Sequence, residues 1–124
     1  MPSIIVRNGA QEGLYLPLGK GTKVIGRHEA SSLQIDDEGV SRRHVQIRFE
    51  PKTLEFYATD MKSRNGTFVR GRRIDDEVRL SEGDEIIIGS TTLVFTEGTP
   101  TDKANALEVL KQVGERGRST LDMR

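Results

Sequence analysis

Along the first hundred residues the apolar positions recur every second residue rather than every third or fourth. Leu14, Leu16 and Leu18 alternate with Tyr15 and Pro17, and Val45, Ile47 and Phe49 alternate with Gln46, Arg48 and Glu50. Leu54, Phe56 and Ala58 alternate in the same way with Glu55, Tyr57 and Thr59. Successive strand side chains point to opposite faces, so each segment offers one apolar face and one wet face. Ser3–Val6, Lys23–Arg27, Leu33–Ile35, Thr67–Val69, Val78–Leu80, Asp84–Ile88 and Thr91–Phe95 complete a set of about ten short strands. Turn chemistry separates them. Asn8-Gly9 and Asn65-Gly66 readily adopt positive φ, Arg70-Gly71-Arg72 and Glu82-Gly83-Asp84 place glycine where the chain reverses, and Gly89-Ser90 fits a two-residue hairpin turn. No strand alternates with a helix before residue 100. The pattern predicts an all-β sandwich or barrel and excludes a doubly wound α/β fold.

After Gly98 the period changes. Thr99-Pro100-Thr101-Asp102 breaks the strand pattern, and Asp102 supplies an N-cap. Ala106, Leu110 and Val113 fall at helical spacing, joined by Leu107 and Val109, which predicts a short helix over Lys103–Val113 with Gly114 as its stop. A helix of that length is marginal alone and must pack on something. Glu115–Arg124 is polar and reads as a disordered tail or a linker. The chain therefore divides into a β domain, residues 1–98, and a helix with a polar tail, residues 99–124.

Composition narrows the function classes. The 124 residues carry 19 basic and 19 acidic side chains, so the formal net charge is zero, which argues against a wholly basic nucleic-acid binder. Aromatic residues are only 5% and Trp is absent, a poor basis for stacking single strands. The absence of Cys excludes disulfide staples, thiolate catalysis and Cys-ligated zinc, and with two His, His28 and His44, any His-based metal site would need carboxylates. No cofactor and no metal are expected. No nucleophile elbow, P-loop or paired-carboxylate constellation points to an enzyme. No signal peptide is visible and the longest apolar runs are far too short to span a bilayer, so a cytoplasmic protein with no membrane partner is the expectation.

Neutrality is itself a sum of two opposed blocks. Gly39–Arg73 holds nine basic and three acidic residues, a net of +6, whereas Ile74–Asp102 holds one basic and eight acidic residues, a net of −7. An anion site belongs in the first block. Three polar segments stand where strands begin or end: Gly26-Arg27, Ser41-Arg42-Arg43-His44 and Asn65-Gly66-Thr67. The basic block carries the last two. In this order, on an all-β chain, they resemble the forkhead-associated (FHA) domain, whose hallmark is Gly-Arg, then Ser-x-x-His, then Asn-Gly-Thr/Ser. The flanking Asp60-Met61-Lys62-Ser63, Phe68-Val69-Arg70-Gly71 and Leu80–Gly89 agree with it, and the resemblance covers roughly residues 3–96.

The resemblance implies a β-sandwich of about eleven strands whose loops at one end bind a phosphothreonine peptide in an extended conformation, without catalysis. A phosphothreonine brings about −1.5 to −2 charges and three acceptor oxygens. Arginine suits it because the planar guanidinium gives two parallel hydrogen bonds. By resemblance, Arg27, Ser41, Arg42 and Arg64 contact the phosphate, and Asn65 holds the peptide backbone beside it. Gly26, His44, Gly66 and Thr67 support the site: Gly26 for close packing or special dihedrals, His44 to organise the loop carrying Ser41, and Gly66 and Thr67 to hold a turn. The partner would be a phosphothreonine-containing protein in a Ser/Thr kinase pathway. Selectivity would come from loops near Asp37–Val40 and Ser63–Arg64.

Other residues have plainer readings. Arg43 faces away from Arg42 if the strand has begun there, as a solvated charge. Arg70-Gly71-Arg72-Arg73 reads as a solvated hairpin tip, and His28 has no assigned role. Thr120 in the tail, if phosphorylated, would let the tail occupy its own pocket or a neighbour's. The competing reading is a phosphate-independent interaction scaffold on the same fold.

Overall fold

The alternating apolar residues close on one another as two sheets. The computed structural model describes the backbone of residues 1–122 and the side chains of residues 1–113. Eleven strands appear in chain order: β1 (Ser3–Val6), β2 (Tyr15–Pro17), β3 (Lys23–Gly26), β4 (Leu33–Gln34), β5 (Val45–Glu50), β6 (Glu55–Asp60), β7 (Thr67–Val69), β8 (Arg72–Arg73), β9 (Val78–Arg79), β10 (Glu85–Ile88) and β11 (Thr91–Thr96). One sheet has the order β2-β1-β11-β10-β7-β8 and the other β4-β3-β5-β6-β9. All pairings are antiparallel except β3 with β4. Ile4, Val6, Ile25, Val45, Ile47 and Leu93 fill the space between the sheets, all at most 1% exposed. Phe49, Phe56 and Phe95 add a tilted aromatic series with centroids 5.1 and 5.9 Å apart.

The run Ile4-Ile5-Val6 is apolar without alternation because both faces of β1 are covered. Ile4 and Val6 face the sandwich core, whereas Ile5, paired with Val94 of β11, lies under the C-terminal helix α1 (Lys103–Asp122). Ala106, Leu110 and Val113 of α1 pack on Ile5 and Val94, with Tyr15 and Val109 at the edge. The helix starts as the sequence predicts: Asp102 Oδ1 accepts the Asn105 N–H at 2.8 Å. No helix among the described residues is long and apolar enough to cross a membrane.

Three departures from the sequence pattern have physical causes. Leu54 does not continue the apolar face of Phe56 and Ala58; it closes the β5–β6 turn at φ 61° with its N–H on Glu50 O (2.8 Å), and it is 72% exposed. Arg72–Arg73, read as hairpin tip, is the strand β8, since Val69 and Phe68 offer it a backbone edge. Gly114 does not stop α1, which runs on to Asp122. A glycine inside a helix costs only about 1 kcal/mol, and a helix already nucleated on a sheet propagates past it. The Thr120 side chain lies outside the described residues.

The seat of α1 yields a direct expectation. Leu110→Ala removes a buried side chain from the Ile5–Val94 face and lowers stability by about 2–5 kcal/mol in urea unfolding. Ligand binding at the far loops stays unchanged.

Candidate functional site

Strands β3 and β5 run antiparallel, with Ile25 opposite Val45. The end of β3 and the start of β5 therefore lie at one end of the sandwich. Beyond the regular ladder the pairing continues: Arg27 N–H donates to Ser41 O at 3.0 Å and His28 N–H to Arg42 O at 3.1 Å. Gly26 is required by this approach, because a Cβ built on it would stand 2.1 Å from the Arg42 carbonyl oxygen. The Arg27 guanidinium is held by its Nε, which donates to Val40 O at 3.0 Å, leaving its terminal nitrogens for a ligand.

His44 joins this loop to the β6–β7 turn. It is wholly buried; its Nδ1 accepts the Ser41 N–H at 3.0 Å and its Nε2 contacts Gly66 O at 2.8 Å. An acceptor at Nδ1 and a carbonyl at Nε2 assign the neutral ring with the proton on Nε2, which donates. Ser41 Oγ then accepts the Arg64 N–H at 3.0 Å, and Asn65 Nδ2 donates to Gly39 O at 2.9 Å. Arg27, Ser41, Arg42, Arg64 and Asn65 thus come together on three adjoining segments. Asn65 is partly committed to the protein's own backbone, leaving its Oδ1 and one N–H to face outward.

Two carboxylates to which sequence reading gave no bracing role hold the same end together. Asp60, at the end of β6, accepts the Ser63 N–H (3.1 Å), the Ser63 hydroxyl and the Thr67 hydroxyl (2.7 Å). Ser63 Oγ in turn accepts the Gly66 N–H at 2.9 Å, and Gly66 sits at φ 83°. Asp37 accepts the Gly39 N–H, the Ser90 N–H and the Thr91 hydroxyl, each at 2.8 Å. Gly39 and Gly89 make room, since a Cβ on Gly39 would lie 3.0 Å from the Gly89 Cα. The signal was present as Asx turns, in which an Asp oxygen takes an N–H two or three residues on: Asp37-Glu38-Gly39 and Asp60-Met61-Lys62-Ser63.

The arginines divide into two sets. Arg7, Arg48, Arg70 and Arg79 pair with Glu85, Glu50 and Glu77, Asp84, and Glu55, respectively. Among the described residues, Arg27, Arg42, Arg43, Arg64, Arg72 and Arg73 have no carboxylate within 4.0 Å. Arg70 is thereby a structural pair rather than part of a solvated tip. Arg73 reaches back over the site turn, its Nε 2.8 Å from where a Gly66 Cβ would be. The chain bends at Arg42-Arg43 and β5 begins only at Val45; both residues line one groove, where the Arg42 carbonyl oxygen accepts the His28 N–H and the Ser31 hydroxyl.

Burial alone would raise the Asp60 pKa, but hydrogen bonds from Ser63 and Thr67 outweigh it and hold the carboxyl below its ordinary value. For Asp37 burial likewise raises, and bonds from Thr91, Gly39 and Ser90 bring the net shift down. A carboxyl depressed on folding stabilises the native state above its unfolded pKa, about 3.9, and loses that contribution as pH falls through the folded value. Urea unfolding therefore shows stability declining below about pH 4. Asp60→Asn is less stable than the parent at pH 7, and the gap narrows at pH 3.

The FHA domain family model matches residues 23–89, which contain all three motif segments and the β3–β10 core. The glycogen accumulation regulator GarA of Mycolicibacterium smegmatis is 38% identical over 103 residues, covering 83% of this chain and 63% of that protein. The oxoglutarate dehydrogenase inhibitor of Corynebacterium diphtheriae is 40% identical over 95 residues, covering 77% and 64%. This chain thus spans a little under two thirds of the length of these curated relatives. Among solved structures, one from a structural and functional analysis of phosphothreonine-dependent FHA domain interactions superposes with a TM-score of 0.70. It is 28% identical and covers 79% of this chain and 97% of its own. With the Gly26 approach, the His44 clamp and the Asn65-Gly66 turn already in place at one end of an eleven-stranded sandwich, these matches settle the family: the chain belongs to the FHA domains.

Proposed function

We propose that this chain is a phosphothreonine-dependent interaction module that binds phosphorylated segments of partner proteins in Ser/Thr kinase signalling. One observation carries the reading: Arg27, Ser41, Arg42, Arg64 and Asn65 meet at one end of the sandwich, and the three arginines have no carboxylate of their own among the described residues. Three unpaired guanidinium groups in a neutral protein call for an anion. The Ser41 hydroxyl, pre-set by the Arg64 N–H, offers its own proton to a phosphate oxygen. Asn65, pinned through Gly39, presents the rest of its amide to an extended peptide backbone.

The domain occupies residues 1–98, with α1 as a buttress on its outer face. It acts by binding rather than by turnover, in the cytoplasm where such kinases work. The similarity to proteins named a regulator and an inhibitor supports a binding role.

The magnitudes suit reversible signalling. Charge-assisted hydrogen bonds contribute roughly 1.5–3 kcal/mol each, and ordering a flexible peptide offsets several kcal/mol. A net of about −7 to −9 kcal/mol corresponds to low-micromolar affinity. In titration calorimetry a phosphothreonine peptide binds and its unphosphorylated twin does not. Arg27→Ala and Ser41→Ala each weaken binding by more than about tenfold. Affinity falls below about pH 6, as the phosphate takes up its second proton. Equal binding of both peptides would leave a phosphate-independent scaffold as the better reading.

A further inference from the structure

Beside the phosphothreonine site lies a second concavity, which shares only Arg42 with it. β4 pairs with β3 in parallel after a short return, so residues 27–32 are thrown out as a loop rather than folded into the ladder. This loop and the bent Arg42-Arg43 segment enclose an open groove of about 430 Å³, within the usual range of roughly 300–1,000 Å³ for small-ligand pockets. His28, Ser31, Ser32, Arg42 and Arg43 line it, with the apolar Val24 and Ala30. No carboxylate is among its lining residues, and Glu29 on the same loop pairs with none of its cations.

The polar groups are arranged for an acceptor. His28 Nδ1 takes the Ala30 N–H at 2.9 Å, which leaves Nε2 as the ring's outward donor. Ser32 Oγ is committed to the Val24 N–H at 3.1 Å, while the Ser31 hydroxyl has only a long contact to Arg42 O at 3.4 Å and can turn outward. Arg42, Arg43, His28 and Ser31 therefore line one space, and no carboxylate stands among its lining residues. Arg42 stands on the boundary, since its neighbour Ser41 belongs to the phosphothreonine site. Ser41 and Arg43 are two residues apart, at most about 7 Å along the chain, so one short peptide can reach both.

We propose that this groove is a second anion subsite, which takes a phosphate or carboxylate carried by the same peptide within about four residues of the phosphothreonine. The proposal rests on the phosphothreonine reading and adds a preference that Arg27, Ser41 and Asn65 alone would not create. It makes this chain a reader of doubly modified or acid-flanked phosphothreonine segments over singly modified neutral ones.

The test uses the full chain and degenerate peptides with one fixed phosphothreonine. A second fixed residue (phosphoserine, glutamate or alanine) is placed at each position from four before to four after it, and affinity is read by fluorescence anisotropy. At one or two adjacent positions phosphoserine or glutamate raises affinity about tenfold over alanine. A gain with phosphoserine alone assigns the groove to phosphate, and an equal gain with glutamate assigns it to any acid. The double variant His28→Ser with Arg43→Ser erases the gain but binds the alanine-paired peptide within twofold of the parent, which also shows that it folds. Arg72→Ser, a loss of charge outside the groove, keeps the gain. The subsite is overturned if no position gains more than twofold, or if the gain survives in the double variant or disappears equally in Arg72→Ser. Failure of the alanine-paired peptide to bind at all would instead overturn the phosphothreonine reading, and the subsite with it.

Discussion

The loop end of this domain depends on one buried side chain. His44 has no solvent contact, and each of its ring nitrogens is satisfied by a different loop: the Ser41 N–H on one side and the Gly66 carbonyl on the other. A buried polar group without partners costs heavily, so the two loops are held wherever the ring is held. The two loops also lead to opposite sheets, Ser41 into β5 and Gly66 into β7. Asp37 and Asp60 repeat the device, one joining the β4–β5 loop to the β10–β11 turn and the other joining β6 to β7. All three cross between the sheets at the same end. The rigidity that binding loops need is supplied by hydrogen bonds between the two layers rather than by the ladders within either.

Much of this was legible in the chain. Period-two alternation located β5 and β6, because each has one face in a single core. The Ser41-to-His44 spacing and the Asn65-Gly66 pair pointed to the candidate site through the family resemblance that they carry together. What escaped had non-local causes. Leu54 fits the alternation and yet serves a turn, because nothing in an apolar pattern records a positive φ. β8 is two arginines whose only claim to be a strand is the free edge of β7. That Arg42 and Arg43 both line one groove goes with a bend that a run of charges does not announce.

Charge illustrates the same division. A formal total of zero argues only against a wholly basic binder, not against a local anion site. The fold sorts the arginines by use: Arg7, Arg48, Arg70 and Arg79 are spent on carboxylates along the sheets, while those around the motif loops are not. Surface ion pairs of the first kind add little stability each. Their larger effect is to neutralise those four cations, which sets them apart from the arginines at the loop end.

The most direct measurement is an amide NMR titration of the full chain with a phosphothreonine peptide, read residue by residue. The account predicts that the largest shifts fall at Arg27, Ser41, Arg42, Arg64 and Asn65, that the β5–β6 hairpin and α1 stay still, and that the unphosphorylated peptide moves none of them. Shifts centred on α1 or the Leu54 hairpin, or an equal response to the unphosphorylated peptide, would contradict it.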